Sequence, residues 1–339
     1  FTWSSPGFDL NDMGYMKETD YLMNETEIMY RQTDIWKIFR YNAFTLSQKN
    51  MWNYGGTPFS NNASLRWQSM TMNRYEWDVK ETFAWNWLDS RLLRGGPDVR
   101  FGSYFLTSAK FNTDKAKRMM FMLKYEGDHN FEGNRFNTIS PSLTFRLGNH
   151  VYLSGQLDYA WNTDEMQYVA TTSPLSSSSL APYYYVMGHM DQKTYGLTLK
   201  LQVNVTPDIS IQFYGAPFTS IAKYDDFKLA ADTKSHTFEN RFQRIDPDQL
   251  TYADGVYTIG EGAGQMPFRN PDFRFNEFRS NLVARWEYLP GSTLYFVWEH
   301  RMSNRDNWYS SGWGSNLDRM WGLPATNTFM IKMNYWFNL

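Results

Sequence analysis

The 339-residue sequence contains no cysteine. Disulfides, thiolate metal sites and a cysteine nucleophile are excluded with it, and redox chemistry indicates no compartment. An excess of one charge is also missing: 33 Lys and Arg stand against 35 Asp and Glu, a formal net charge of −2. That balance supplies no field for a polyanion, so nucleic acid is not expected as a partner. Histidine is scarce, with five in all. His129, His150, His189, His236 and His300 form no HxH or HExxH pattern, so neither a metal nor a cofactor is expected. No run of about 18 apolar residues exists, which excludes a transmembrane helix on length. The opening stretch FTWSSPGFDL has neither the basic nor the apolar region of a signal peptide.

Aromatic residues, in contrast, are abundant. They make up 18% of the chain, with 14 Trp, 23 Tyr and 25 Phe, although the mean hydropathy is −0.59. A strict period of two reconciles the two numbers, because only alternate residues are apolar. In the closing TNTFMIKMNYWFNL, Phe329, Ile331, Met333, Tyr335 and Phe337 alternate with Lys332, Asn334 and Asn338. Leu143, Phe145 and Leu147 oppose Ser142, Thr144 and Arg146, while Leu197, Leu199 and Leu201 oppose Thr198, Lys200 and Gln202.

About 13 such segments are legible, near 24–33, 35–46, 61–73, 74–88, 99–109, 116–127, 135–147, 149–171, 182–205, 208–219, 274–288, 292–302 and 326–338. Short turns such as 146–151, 205–209 and 289–293 alternate with long loops near 165–193, 225–273 and 303–325. The expected fold is an all-β, antiparallel up-and-down transmembrane β-barrel: turns gather at one end, long loops at the other, and one face of each strand meets lipid. A soluble β-sandwich or barrel has the same alternation with its apolar face inward. Two features favour the membrane form. The polar faces are rich in Asn, Gln, Ser and Thr, and Trp77, Trp85, Trp87, Trp161, Trp286, Tyr288, Trp298 and Tyr335 gather near strand ends as an interfacial girdle would.

The stretches GFDLNDMGYM (7–16), LLRGGP (92–97), NPDFRFNEFRSNLVARWEYLPGSTLYFVW (270–298) and TNTFMIKMNYWF (326–337) resemble the C-terminal barrel of a Bacteroidota family of unknown function. Members of that family typically join an N-terminal carbohydrate-binding-type β-sandwich to an outer-membrane-like barrel. The resemblance implies a bacterial outer-membrane location and a sugar-related setting, and it brings no catalytic residues. Residues 1–339 are expected to be the C-terminal part of the barrel, with the sandwich and upstream strands missing. An odd strand count supports this, since bacterial single-chain barrels have even numbers.

Parity assigns Lys80, Lys124, Asp158, Lys200, Arg285, Glu287, Glu299, Arg301 and Lys332 to the polar face, as candidate lumen-lining residues. Mixed charges there either tune selectivity or pair across strands. Trp308, Tyr309, Trp313 and Trp321, set among Asn, Ser and Gly, are candidates for stacking on sugars or for packing on one another. RLLRGGPD (91–98) reads as a turn rather than a phosphate loop, with Arg91 and Arg94 placed to meet lipopolysaccharide phosphates if it faces outward. YDDFKLAAD (224–232) reads as a solvated loop without EF-hand spacing.

The leading expectation is a non-enzymatic outer-membrane channel, or the membrane-embedded part of a surface assembly in a glycan-related setting. Its partners would be outer-membrane lipid and lipopolysaccharide, glycans and other surface subunits. A barrel hydrolase with its active site at the rim and a soluble sugar-binding β protein are the alternatives. No catalytic residue is assigned.

Overall fold

The computed structural model describes residues 1–9, 19–175, 182–307 and 312–337. Strands β1 (Thr2–Ser4), β2 (Tyr21–Gln32), β3 (Phe39–Trp52), β4 (Pro58–Thr71) and β5 (Glu76–Trp85) precede a small hairpin, β6 (Trp87–Asp89) and β7 (Val99–Phe101). Next come β8 (Tyr104–Asn112), β9 (Met119–Asn130), β10 (Arg135–Leu147) and the three longest strands, β11 (Val151–Thr172), β12 (Tyr184–Asn204) and β13 (Ile209–Ala230). Helix α1 (Phe238–Arg241) and strands β14 (Phe242–Arg244), β15 (Leu250–Ala253), β16 (Val256–Ile259) and β17 (Met266–Arg269) lead to β18 (Phe273–Leu289) and β19 (Ser292–Asp306). Helix α2 (Trp313–Trp321) and β20 (Thr326–Asn334) end the order.

Every pairing is antiparallel, and the main sheet runs β1-β2-β3-β4-β5-β8-β9-β10-β11-β12-β13-β18-β19-β20. The fold is therefore an all-β meander. Thirteen of these strands overlap the thirteen segments that alternation marks. β3 is displaced toward Trp52, because Trp36 and Phe39 exchange backbone hydrogen bonds and close a turn where strand was expected. The fourteenth, β1, covers only Tyr21, Leu22 and Met23 of β2. With β1 included the path holds fourteen strands. Among the described residues, the outer edge of β2 from Asn24 to Gln32 and that of β20 have no strand partner.

One end of the sheet carries the short connections 33–38, 72–75, 113–118, 148–150, 205–208 and 290–291. The other carries 86–103, 173–183, 231–272 and 307–325, along with the short 53–57 and 131–134. Much of what reads as long loop is strand. β11, β12 and β13 run past the rest of the sheet, so 165–172, 184–193 and 225–230 are extended strand rather than loop. Bulges between Asp164 and Gln167, and between Met187 and His189, break the period of two there. YDDFKLAAD is corrected in the same way: Tyr224–Ala230 belongs to β13, and Phe227 and Lys228 are buried. The β15–β16 hairpin turns at Asp254 and Gly255, with φ of 50° and 79°, the mirror-image turn that Asp-Gly favours.

Burial is inverted across most of the sheet. Leu65 is 57% exposed, Leu153 42%, Leu157 42% and Leu199 40%, whereas Ser64, Thr82, Ser140 and Thr144 on the opposite face are buried. Cross-strand partners share a face, and the register keeps the two chemistries apart from strand to strand: Leu46 beside Leu65, Leu153 beside Leu201, Ser47 beside Ser64, Ser64 beside Thr82. Glu81 departs from the pattern. It sits between Leu65 and Thr107 on the apolar face and accepts a 2.7 Å hydrogen bond from the Thr107 hydroxyl.

At the loop end the order reverses and a conventional core appears. Val186, Met190, Ala222, Tyr224, Phe227, Ile259 and Phe268 form one buried cluster beneath β15–β17. Leu93, Val99, Met166, Met187 and Phe242 form another beneath the β6–β7 hairpin. Each fully buried side chain of this kind contributes about 1.5–3 kcal/mol. The apolar face of β18 and β19 is covered there too, since Trp321 of α2 packs edge-on against Phe278 at 4.8 Å.

Candidate functional site

The register brings all nine candidate charges to the polar face. Lys80 lies between Arg66 and Ser108, and Lys124 between Lys110 and Ser140. Asp158 stands opposite Gly196, and Lys200 between Ser154 and Tyr214. Arg285 and Lys332 flank Tyr295, Glu287 faces Thr293, Glu299 lies between Asn281 and Thr328, and Arg301 between Arg279 and Thr326. Parity alone suffices for this, because successive side chains on a strand must alternate.

Pairing, which parity does not show, divides the set. Lys124 meets Glu126 at 2.7 Å, Arg285 meets Glu287 at 2.5 Å, and Arg301 shares Glu277 with Arg279, each at 2.9 Å. Asp158 accepts from the Gln156 amide at 2.9 and 3.1 Å. Arg66, which sequence reasoning passed over, holds Asp78 at 2.5 Å, and Gln68 donates to the same carboxylate at 3.2 Å. Among the described residues Lys80, Lys200, Glu299 and Lys332 have no ion-pair partner. Lys200, Tyr152, Tyr214 and Asn281 line a recess of about 230 Å³ on this face.

Over the loop end of the polar face, two connections far apart in the chain are joined. The 86–103 segment enters from β5 and the 231–241 segment leaves β13, and β9 to β12 lie between them in the sheet. The Arg100 amide donates to the Thr233 carbonyl at 2.9 Å, and Arg100 Nε to the Lys234 carbonyl at 2.9 Å. The Thr233 hydroxyl donates to the Asp98 carbonyl at 2.7 Å, and Lys234 pairs with Asp98 at 3.0 Å. Arg241, fully buried, donates to the Arg100 carbonyl and to Glu132, whose other oxygen accepts from the Gly102 amide at 3.1 Å. Gly96 lets the hairpin lie against Tyr185, since a Cβ there would come within 2.7 Å of the ring. Arg94 stacks on Tyr168 at 4.6 Å, so it is engaged within this cap. Trp87, expected in an interfacial girdle, instead stacks on Phe101 at 4.9 Å. With Tyr104, Asp128, Phe136 and Asp164 these two rings line a cavity of about 140 Å³ between cap and sheet.

Trp308 and Tyr309 lie outside the described residues, as does the side chain of Trp313. Trp321 is more than half exposed and makes the Phe278 contact that holds α2 on the sheet.

His189 is the one histidine set among several carboxylates. Its Nδ1 is 3.0 Å from Glu165 and its Nε2 is 3.5 Å from Asp191. Burial opposes the imidazolium, but the charge and hydrogen bond of Glu165, with Asp191 and Asp225 behind them, hold its pKa above the ordinary histidine value. Burial, aided by Asp128 and Glu165, holds the Asp164 carboxyl above the usual carboxylate range. Asp272 is raised chiefly by burial as well, although it accepts from the Tyr224 amide at 2.7 Å. A raised histidine stabilises the fold fully below its unfolded pKa and loses that contribution as pH rises through the folded value. Raised carboxylates act in the same direction, because ionising them in place is unfavourable. Protease resistance of the cap is therefore expected to fall as pH climbs from about 6 through neutrality. His189→Gln should flatten the neutral part of that slope, and a resistance that is flat or rising with pH would contradict the arrangement.

The geometry defines a class: an all-antiparallel β protein with one continuous polar, charge-lined face, an apolar face left uncovered, and a cap of ordinary hydrophobic core at one end. The chain belongs to the family described as a domain of unknown function, DUF5916, whose profile matches residues 1–339. No curated protein and no solved structure matches it.

Proposed function

We propose that this chain is a membrane-embedded β-barrel of the bacterial outer membrane, whose polar face lines a water-filled interior closed at the loop end by the 86–103 and 231–272 segments. The observation that carries the reading is inverted burial. Leucines stand uncovered along the middle of many adjacent strands, while the opposite face buries serine and threonine. In water such a surface would far exceed the apolar patches that monomeric soluble proteins expose. In lipid it is the required one, because a closed antiparallel sheet pairs its backbone groups from strand to strand and only one face meets hydrocarbon.

In this reading the sheet closes through one strand set between β2 and β20, as their directions require. β2 and β20 both run from the loop end to the short-turn end. A strand running as β1 does, antiparallel to both, satisfies both free edges, and unpaired edges are not tolerated in hydrocarbon. The cap favours a gated or plugged component over an open pore, with any traffic or surface assembly acting at the loop end. No enzyme activity enters this reading.

Heat-modifiable gel mobility, β-type circular dichroism in detergent and insertion into vesicles are the expected behaviour. A monodisperse monomer without detergent would refute the reading. In planar bilayers, replacing the unpaired Lys80, Lys200 and Lys332 together with Gln is expected to shift ion selectivity toward cations. Unchanged selectivity in a conducting sample would remove these lysines from the lumen.

A further inference from the structure

We infer that the short-turn end carries a binding site for one anionic phospholipid, on the outward face between the 72–75 and 113–118 turns; this rests on the membrane-spanning reading. A groove of about 530 Å³ opens there, walled by Met72, Tyr75, Met119 and Phe121, with Arg74 and Lys117 at its mouth. Its apolar wall continues the outward band of the sheet. Phe121 lies 6.5 Å from Phe111, and Phe111 lies 5.8 Å from Tyr75 and 4.4 Å from Trp77. Met72 and Met119 are both more than half exposed, and their unbranched, polarisable side chains conform readily to an acyl chain.

The charges are arranged for a phosphate. Arg74 and Lys117 are exposed and have no ion-pair partner among the described residues. Asp114, on the groove wall, is buried and accepts from the Ala116 amide at 2.9 Å, and Glu76 is held by Lys115 at 2.5 Å. Arg118 adds a third exposed cation in the same turn. Two unneutralised cations above an apolar trough match a lipid whose headgroup keeps a net negative charge. A zwitterionic headgroup would bring its own cation against them. Each cation near such a surface contributes about a fivefold preference.

The test is native mass spectrometry of the protein reconstituted in bilayers of equimolar phosphatidylglycerol and phosphatidylcholine. Retained lipid is expected to be enriched in phosphatidylglycerol on the order of tenfold. The double variant Arg74→Gln/Lys117→Gln should lose that enrichment, and Lys332→Gln, on the polar face, should keep it. Met72→Ala/Met119→Ala should lower total retained lipid without changing the headgroup ratio. Circular dichroism shows whether each variant keeps its strand content. Retention at the bulk ratio by the wild type, or enrichment that persists in the double variant, overturns the site while leaving the spanning reading in place. Failure to enter bilayers of either lipid overturns both.

Discussion

Leu199→Arg is expected to destabilise the protein in a bilayer by about 2–4 kcal/mol, the midplane cost of a guanidinium on the lipid face of a barrel. Its neighbour Thr198→Arg should lie within about 0.5 kcal/mol of the wild type. Leu199 is paired with Gly155 on one side and Gly215 on the other, so no large side chain directly opposite it shields the substituent. Thr198 is paired with Gln156 on the polar face, close to Asp158. The comparison separates the two environments sharply, because a leucine already 40% exposed would accept arginine in water with little cost. Equilibrium urea unfolding in lipid vesicles measures both variants. Equal and small effects would mean that the outward face is wet.

Glu132→Ala is expected to cost about 3–5 kcal/mol of cap stability, since it leaves the guanidinium of Arg241 buried without its carboxylate. The double variant Glu132→Ala/Arg241→Met should recover most of that loss, because no uncompensated charge remains and methionine refills the space beside Phe238. Hydrogen exchange at the amides of 86–103 and 231–241 reports the effect. Bilayer conductance should rise in the single variant as these segments part. If single and double variants are equally affected, the pair is not what holds the cap.

How far the sequence reached is clearest in particular residues. Lys80, Lys200 and Lys332 are assigned correctly to one face by counting in twos, and the register only names their neighbours. The same counting stops working at Asp164 and at Met187, where bulges add residues that have no partner. The segments 149–171 and 182–205 still read as strand across these points, whereas 225–230 of β13 read as loop. Glu132 and Arg241 are separated by more than a hundred positions and share no periodic pattern, so nothing local connects them. Trp87 illustrates the opposite error. An aromatic beside a strand end matched the girdle pattern, but the short β6–β7 hairpin turns it onto Phe101 over the polar face.

By itself, then, the sequence determined the thirteen long strands of the main sheet, their antiparallel order and the chemistry of the two faces, because alternation is a local property enforced by backbone geometry along a strand. Tertiary structure alone decided which charges are paired, where a conventional core replaces the inverted one, and that the connections from β5 and from β13 meet over the polar face. Those outcomes depend on contacts between residues distant in the chain, and no period within a strand records them.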